Sequence, residues 1–368
     1  MFILFTCIVI LYSCIIICAV IAWKKYSPKF TLQHKNTSCT VIIAARNEEQ
    51  NIAHILEDLC NQTYPLHNIQ ILVANDHSTD NTFQIAQNIA HKNTTIQVLN
   101  MPKHVQGKKQ TLQHTLPLAT GQYILFTDAD CRIPPTWVAT YVSHIQNKSG
   151  HFYFSSVTHH KEKSVLQQCF TLDFIAMVGV QGGLAKLGRA FSCNAANMCI
   201  SKEFYDSAYR TNTQYDSGDD VFLLHTAKQM YPKGIHFISH KNACVSTAAP
   251  QSLQTFISQR IRWSSKASGY TDIDALIVSF AVYSMSFTLV CTFIFSIISD
   301  QYTTLAISLY SIKTLVDMAL FLTILPFFNK TKLMYLVPLF QFFYVFYITI
   351  IPIFAHIIPK QWKQRNIR

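Results

Sequence analysis

Apolar and polar positions divide the chain into three regimes. Phe2 to Trp23 is an uncharged run of 22 residues, long enough as a helix to cross about 30 Å of hydrocarbon. It lacks the charged start and short core of a cleaved leader and reads as an anchor over 1–23. From Cys39 to about Tyr231, short apolar runs alternate with amphipathic stretches. Thr40–Ala45, Ile69–Ala74, Ile96–Leu99 and Tyr123–Phe126 read as short buried strands. Between them, Ile52, Ile55, Leu56 and Leu59 recur at helical spacing within Glu48–Cys60, and Lys109–Leu116 reads as another helix. Ser78 or Asp80 is placed to cap a helix running through Ala90. Strands alternating with helices over short links predict an α/β domain, 39–240, with a mostly parallel sheet covered on both faces. Beyond Lys241 the pattern changes again. In 251–270, Leu253, Phe256, Ile257, Ile261 and Trp263 stand among Gln, Arg, Lys and Ser, the pattern of an amphipathic helix lying on a membrane surface. Three apolar stretches follow, Ala275–Ile298, Thr303–Phe328 and Leu333–Ile358, and predict a membrane region over 275–358.

Charge orients this plan. Lys24, Lys25 and Lys29 follow the first apolar run directly, which places the α/β domain in the cytoplasm by the positive-inside rule. Four crossings would then leave Lys360, Lys363, Arg365 and Arg368 outside, against the same rule. One stretch is therefore expected to be re-entrant or interfacial, and Leu333–Ile358, broken by Pro338 and Pro352, is the first candidate. Lys313 and Asp317 lie four apart inside an apolar stretch, on one helix face, where they can neutralise each other.

Composition narrows the chemistry. The chain holds 30 Lys and Arg against 19 Asp and Glu, a formal charge of +11. A basic chain suits anionic lipid or phosphate. No basic and aromatic nucleic-acid module is present. Eleven cysteines are scattered without zinc-type spacing and ask for no oxidising compartment. The G-x-G-x-x-G fingerprint is absent, which disfavours a nicotinamide or flavin enzyme. A transporter is disfavoured because a long α/β region separates the apolar runs.

Carboxylates are scarce, yet six of the 19 fall in three short segments: Asp76 with Asp80, Asp128 with Asp130, and Asp219 with Asp220. Tyr123–Phe126 runs into Asp128 and Asp130 at a strand's carboxyl end, where open α/β sheets bind ligands. Two hard oxygen donors one residue apart suit a divalent cation that also holds phosphate. A plain turn after a strand is the alternative for that pair taken alone, and helix-end acids are the alternative for Asp219 and Asp220.

Together the segments resemble a membrane-bound family 2 glycosyltransferase, the group of cellulose, chitin and hyaluronan synthases and ceramide glucosyltransferase. The resemblance runs from about Cys39 to Trp263. Val41–Glu49 resembles the opening strand with its N-E turn, Asn75–Thr82 the D-D-x-S-x-D-x-T segment, and Gly107-Lys108 the G-K turn. Asp128 and Asp130 resemble the D-x-D, Asn194–Ser201 the segment before the acceptor site, and Asp219-Asp220 the pair carrying the catalytic base. Gln259-Arg-Ile-Arg262-Trp263 is a full Q-x-x-R-W. The resemblance implies a GT-A fold and an inverting, metal-dependent transfer from a nucleotide-sugar donor, a UDP-sugar, to a lipid or saccharide acceptor. It gives Asp130 the Mn²⁺ or Mg²⁺ ion, Asp128 the ribose side, Asp76 the base of the nucleotide, and Asp220 the acceptor proton. Lys108 offers a charge to the diphosphate, Asp80 shapes the turn, Arg262 can bridge a diphosphate with its planar fork, and Trp263 can stack on the acceptor. The rival from another class is a non-catalytic membrane scaffold that keeps the fold. Departures from the pattern are Asn75 in place of an acid, and Cys193 and Asn194 where relatives often carry Gly.

Overall fold

A computed structural model describes residues 2–25, 36–208, 219–355, 360–362 and 365–367. Lys29, Lys363 and Arg368, and the side chains of Lys25, Asp219, Lys360 and Arg365, lie outside the described residues. In chain order the elements are α1 (Phe2–Lys25), β1 (Cys39–Ala45), α2 (Ile52–Cys60), β2 (Ile69–Asn75), α3 (Thr82–Ala90), β3 (Ile96–Asn100), α4 (Lys108–Thr115), β4 (Tyr123–Phe126), β5 (Cys131–Arg132), α5 (Trp137–Asn147), β6 (Phe152–Ser155) and β7 (Val157–His160). Then follow α6 (Val165–Lys186), β8 (Met198–Ser201), α7 (Lys202–Ala208), α8 (Asp219–Met230), β9 (Ile235–Ile238), β10 (Val245–Ala248), α9 (Leu253–Ser264), α10 (Ile273–Ile298), α11 (Gln301–Ile324) and α12 (Val337–Phe354). They form two compact units. One holds Ser27–His160, Ser192–Ala248 and Trp362–Arg368, and the other Met1–Tyr26, Lys161–Phe191 and Ala249–Gln361.

The first unit is α/β. Its seven-stranded sheet has the order β3-β2-β1-β4-β8-β6-β9, and a smaller sheet has the order β5-β10-β7. In the large sheet β1 pairs in parallel with β2 and β4, β2 with β3, and β6 with β9, while β8 runs antiparallel to β4 and β6. The mostly parallel sheet expected from the alternation is therefore present. β1 is buried along nearly its whole length, the mark of a strand covered on both faces. In register, Cys39 stands opposite both Ile69 and Tyr123, so β1, β2 and β4 bring their carboxyl ends to one edge. Arg46, Asp76 and Asp128 follow those ends. α3 starts one residue after Asn81, and Asp80 shapes its entry by accepting from Thr82 N at 3.0 Å and from Glu49 N at 3.1 Å. Burial alone would raise the Asp80 pKa, but these hydrogen bonds outweigh it and hold the carboxyl below its usual range.

The second unit is helical. Among the described residues five helices are long and apolar enough to cross a membrane: Ile3–Lys24, Val165–Lys186, Ile273–Ile298, Gln301–Ile324 and Thr331–Phe354. The second of these falls inside 39–240, where the sequence reading places no apolar helix. Its mean hydropathy, 1.2, is the lowest of the five, because Gln167, Gln168, Asp173, Gln181 and Lys186 interrupt it. Within the last of the five a 3₁₀ turn over Thr331–Leu336 precedes α12. Pro338 sits in the first turn of α12, where its missing N–H costs nothing. Lys313 and Asp317 pair as expected, at 2.6 Å. Asp317 also accepts from Tyr12 of α1 at 2.6 Å, and Lys313 donates to Gln341 of α12 at 2.5 Å. One buried polar cluster thus ties three helices together.

Candidate active site

Leaving β4, Thr127 N still reaches Ile42 O at 3.5 Å, after which the ladder with β1 ends. The turn that follows closes through Cys131 N to Asp128 O at 3.1 Å, with Ala129 buried and the two flanking carboxylates half-buried. Asp128 forms an ion pair with Lys108, both side chains about one-third exposed. Lys108 opens α4 directly after Gly107, whose φ of +86° is a conformation that favours glycine. Gly107 N donates to Asp76 Oδ2 at 3.1 Å. The G-K turn is therefore tied by its backbone to one carboxylate and by its side chain to another.

Desolvation pulls the Lys108 pKa down, but the charge of Asp128 and the hydrogen bond to it, then the charges of Asp220 and Asp130, together carry it above its ordinary value. That ammonium feels three carboxylates, two of them in one turn and the third far along the chain. Asp220 stands in the first turn of α8 and accepts from Ala195 N at 3.1 Å and from Val221 N at 3.0 Å. Cys193 Sγ points to the Asp220 carbonyl at 3.3 Å, and Asn194 caps the 3₁₀ turn Ala195–Asn197. The two departures at Cys193 and Asn194 are thus structural partners of the Asp220 loop. Asp219 lies beside Asp220 in α8.

Asn75 has a structural explanation as well. Its amide donates to Asn100 Oδ1 at 2.8 Å while its own Oδ1 accepts from Ser78 N at 3.3 Å, a pair of roles that a carboxylate cannot fill. Arg46 donates to the carbonyls of Asp76 and His77 at 2.8 and 2.9 Å and steadies the nucleotide-segment backbone.

Asp130 is approached by Thr247 Oγ1 at 3.4 Å and Cys131 Sγ at 3.8 Å, both long for hydrogen bonds. Among the described residues no three His, Cys, Asp or Glu side chains are grouped to hold a metal. Asp130 with Asp128 is a hard-oxygen donor set that fits Mn²⁺ or Mg²⁺ when a diphosphate and water complete the shell.

Sequence reasoning missed Thr247 and Asn197. Asn197 is fully buried and accepts from Trp137 Nε1 and Tyr141 OH, both at 2.9 Å, while its amide donates to Ser156 O and Ala243 O, both at 2.7 Å. It lies three residues after Asn194 in the segment before the acceptor site, and only its polarity in an apolar setting marks it.

Asp76, Lys108, Asp128, Asp130 and Asp220 belong to the α/β unit, and Gln259, Arg262 and Trp263 to the helical unit. In α9 the buried arginine is Arg260, between the motif positions. It pairs with Asp173 of α6, and its guanidinium lies 4.9 Å from the Phe256 ring centre and 4.3 Å from that of Trp263. Arg262 is half-buried on the same helix. Gln259 Oε1 is buried with no hydrogen-bond partner among the described residues.

Residues 40–172 match the model of Glycosyl transferase family 2. A β-monoglucosyldiacylglycerol synthase of Nostoc is 34% identical over 95 residues, 26% of this chain and 20% of that protein. A probable glycosyltransferase of Bacillus subtilis is 24% identical over 229 residues, 61% of this chain and 54% of that protein. The matched stretch thus spans only part of the length of these curated relatives. A mannosyltransferase of Pyrobaculum calidifontis, solved with GDP-Man and Mn²⁺, superposes with a TM-score of 0.55 at 15% identity, covering 95% of this chain and 99% of the other. That likeness shows the fold, GT-A.

Proposed function

From a chain whose residues 40–172 match the Glycosyl transferase family 2 model and whose fold is GT-A, we propose that it transfers a sugar with inversion from a nucleotide-sugar, a UDP-sugar, to a lipid or saccharide acceptor at the cytoplasmic membrane face. The supporting observation is the field around Lys108, which joins Asp128, Asp130 and Asp220. The D-x-D and the acid of α8 share one neighbourhood although about 90 residues separate them in sequence.

In the reaction an acceptor hydroxyl attacks the anomeric carbon, its proton passes to Asp220, and the bond from that carbon to the diphosphate breaks. A hydroxyl is a poor nucleophile until a base takes its proton. Asp220 holds its carboxylate steady by accepting from the backbone N–H groups of Ala195 and Val221. Lys108 lies beside Asp128 and offers positive charge to the leaving diphosphate. Asp130, with Asp128 nearby on the ribose side, would hold a Mn²⁺ or Mg²⁺ ion, which would supply Lewis-acid neutralisation of that group. Asp76 fixes the Gly107-Lys108 turn by accepting from Gly107 N and is assigned to the base of the nucleotide. Direct attack by the acceptor, with Asp220 as its base, is a single displacement and hence inverts the anomeric centre. Gln259, Arg262 and Trp263 of the Q-x-x-R-W are assigned to diphosphate and acceptor on the strength of that motif alone.

The test is to incubate membranes holding the protein with a panel of radiolabelled nucleotide-sugars and Mn²⁺, then extract lipids and polymers. Label moved from a UDP-sugar into the lipid or saccharide fraction is expected. Transfer from no donor in the panel would overturn the reading in favour of a scaffold.

A further inference from the structure

Five helices have the length and hydropathy of membrane spans, but the chain's connections do not let all five cross. α6 leaves the α/β unit five residues after β7 and rejoins it at β8. β8 pairs with β6, the strand just before β7. Strands of one sheet share one side of a bilayer, so α6 begins and ends on that side. Its 22 residues extend about 33 Å, and a helix of that length with both ends tied to one sheet lies along the interface rather than through the membrane.

Three polar contacts mark the level of that side. Glu162, two residues after β7, pairs with Lys330 at 2.5 Å; Arg189, just after α6, pairs with Asp274 at 2.8 Å; and Lys186 Nζ donates to Trp23 O at 3.1 Å. They fix, in turn, the exit of α11, the entry of α10 and the exit of α1. α10 and α11 thus form a hairpin whose tip, Ser299–Asp300, lies a full helix length away, and α1 crosses with its Lys24 end at the marked level.

The path of α12 is a loop of its own. Before it, Tyr335 OH reaches Gln168 Oε1 in the first turn of α6 at 3.2 Å. Its second turn reaches the middle of α11, where Gln341 meets Lys313. Its last turn comes back to α9, with Ile351 and Ala355 packed on Ile261. α9 starts five residues after β10, a strand bonded to β7. Meanwhile Leu339, Phe343, Ile350 and Ile353 stay exposed on α12, an apolar face of the kind that acyl chains cover.

We propose that α6 and α12 enter and leave the acyl region from its cytoplasmic side without crossing it, so that α1, α10 and α11 are the only crossings among the five. This arrangement removes the charge conflict of the sequence: the Lys and Arg residues after α12 return to the cytoplasm, as the positive-inside rule requires.

The test uses the full-length chain with a short epitope placed at one site at a time: between Ser299 and Asp300, after Gly188, or after Arg368. Gly188 is in a turn where an added Cβ meets nothing within 4 Å. Antibody should reach the Ser299 epitope on intact cells and the other two only after permeabilisation. Staining of the Gly188 or Arg368 epitope on intact cells, or a Ser299 epitope hidden until permeabilisation, overturns the arrangement. The untagged chain gives the second measurement. Trypsin added to sealed inside-out vesicles should trim the basic tail after α12, read by mass, and leave it whole in right-side-out vesicles; the reverse pattern overturns the proposal without any variant. Neither readout depends on sugar transfer.

Discussion

Asp130 lies half-buried in the turn after β4, with Thr247 Oγ1 at 3.4 Å and Cys131 Sγ at 3.8 Å, and Asp130→Asn keeps its size while removing its charge. Asp130→Asn should leave the protein folded in membranes and lower transfer by about 10²–10³-fold, the scale of several kcal/mol of charge stabilisation. Near-normal turnover in that variant would remove Asp130 from the metal role. Chelation with EDTA should likewise stop transfer, and added Mn²⁺ or Mg²⁺ should restore it. For the base, Asp220→Asn should cost about 10²–10⁴-fold in rate and leave nucleotide binding by calorimetry largely intact. Asp219→Asn should be milder, through loss of a neighbouring charge and of favourable helix-end electrostatics. Equal losses in the two variants would mean that the base is misplaced. Asp76, Lys108, Asp128 and Asp130 were legible because each sits in a short local pattern of strand, turn and acid. Thr247 was not, since its contact with Asp130 spans 117 residues and no local spacing announces it.

Among elements, α9 shows where motif and packing part company. The Q-x-x-R-W pattern draws attention to Arg262, while burial falls on Arg260 and its partner Asp173. Arg260→Met strands a buried carboxylate and should destabilise the detergent-solubilised protein by about 3–5 kcal/mol, whereas Asp173→Leu with Arg260→Met should recover most of that. Thermal unfolding of the two variants is the measurement; an equal drop in both would show that the pair's packing, rather than its uncompensated charge, sets the cost. In α5, His144 gives a pH signature. Burial, with His236 and Lys148 nearby, pushes its pKa down from 6.5 to about 4. The unfolded chain therefore takes up this proton first as pH falls, so stability is full above about pH 6.5 and drops progressively toward pH 4. Between pH 6.5 and 5 the loss from this one group should be on the order of 2 kcal/mol, and His144→Phe should flatten that part of the profile.

For the whole molecule, hydropathy regimes made the α/β core, a helix at α9 and the apolar C-terminal helices legible. α6 escaped because its polar residues dilute the signal of a helix that is nonetheless largely buried. Gly179 and Gly183 hold it close to α11 and α1, and a Cβ at Gly183 would collide with the Ala19 backbone. Such closeness is a property of the assembled helices and leaves no period in the chain. Gly183→Leu should therefore force α1 from α6 and lower the thermal midpoint in detergent, while Gly188→Ala, limited to a strained turn of positive φ, should cost only about 1 kcal/mol.

The bond between Tyr12 and Asp317 also sets a schedule for biosynthesis. The two residues are 305 positions apart, and translation at about 5–20 residues per second puts roughly 15–60 s between their emergence. In the proposed arrangement α1 waits in the membrane for that interval with a tyrosine hydroxyl, a group that carries no charge. The costly charges, Lys313 and Asp317, are made together, four residues apart, and enter as a neutral pair. The order of synthesis thus spares the bilayer a lone charge, and the helical unit cannot close around α1 until α11 has been translated.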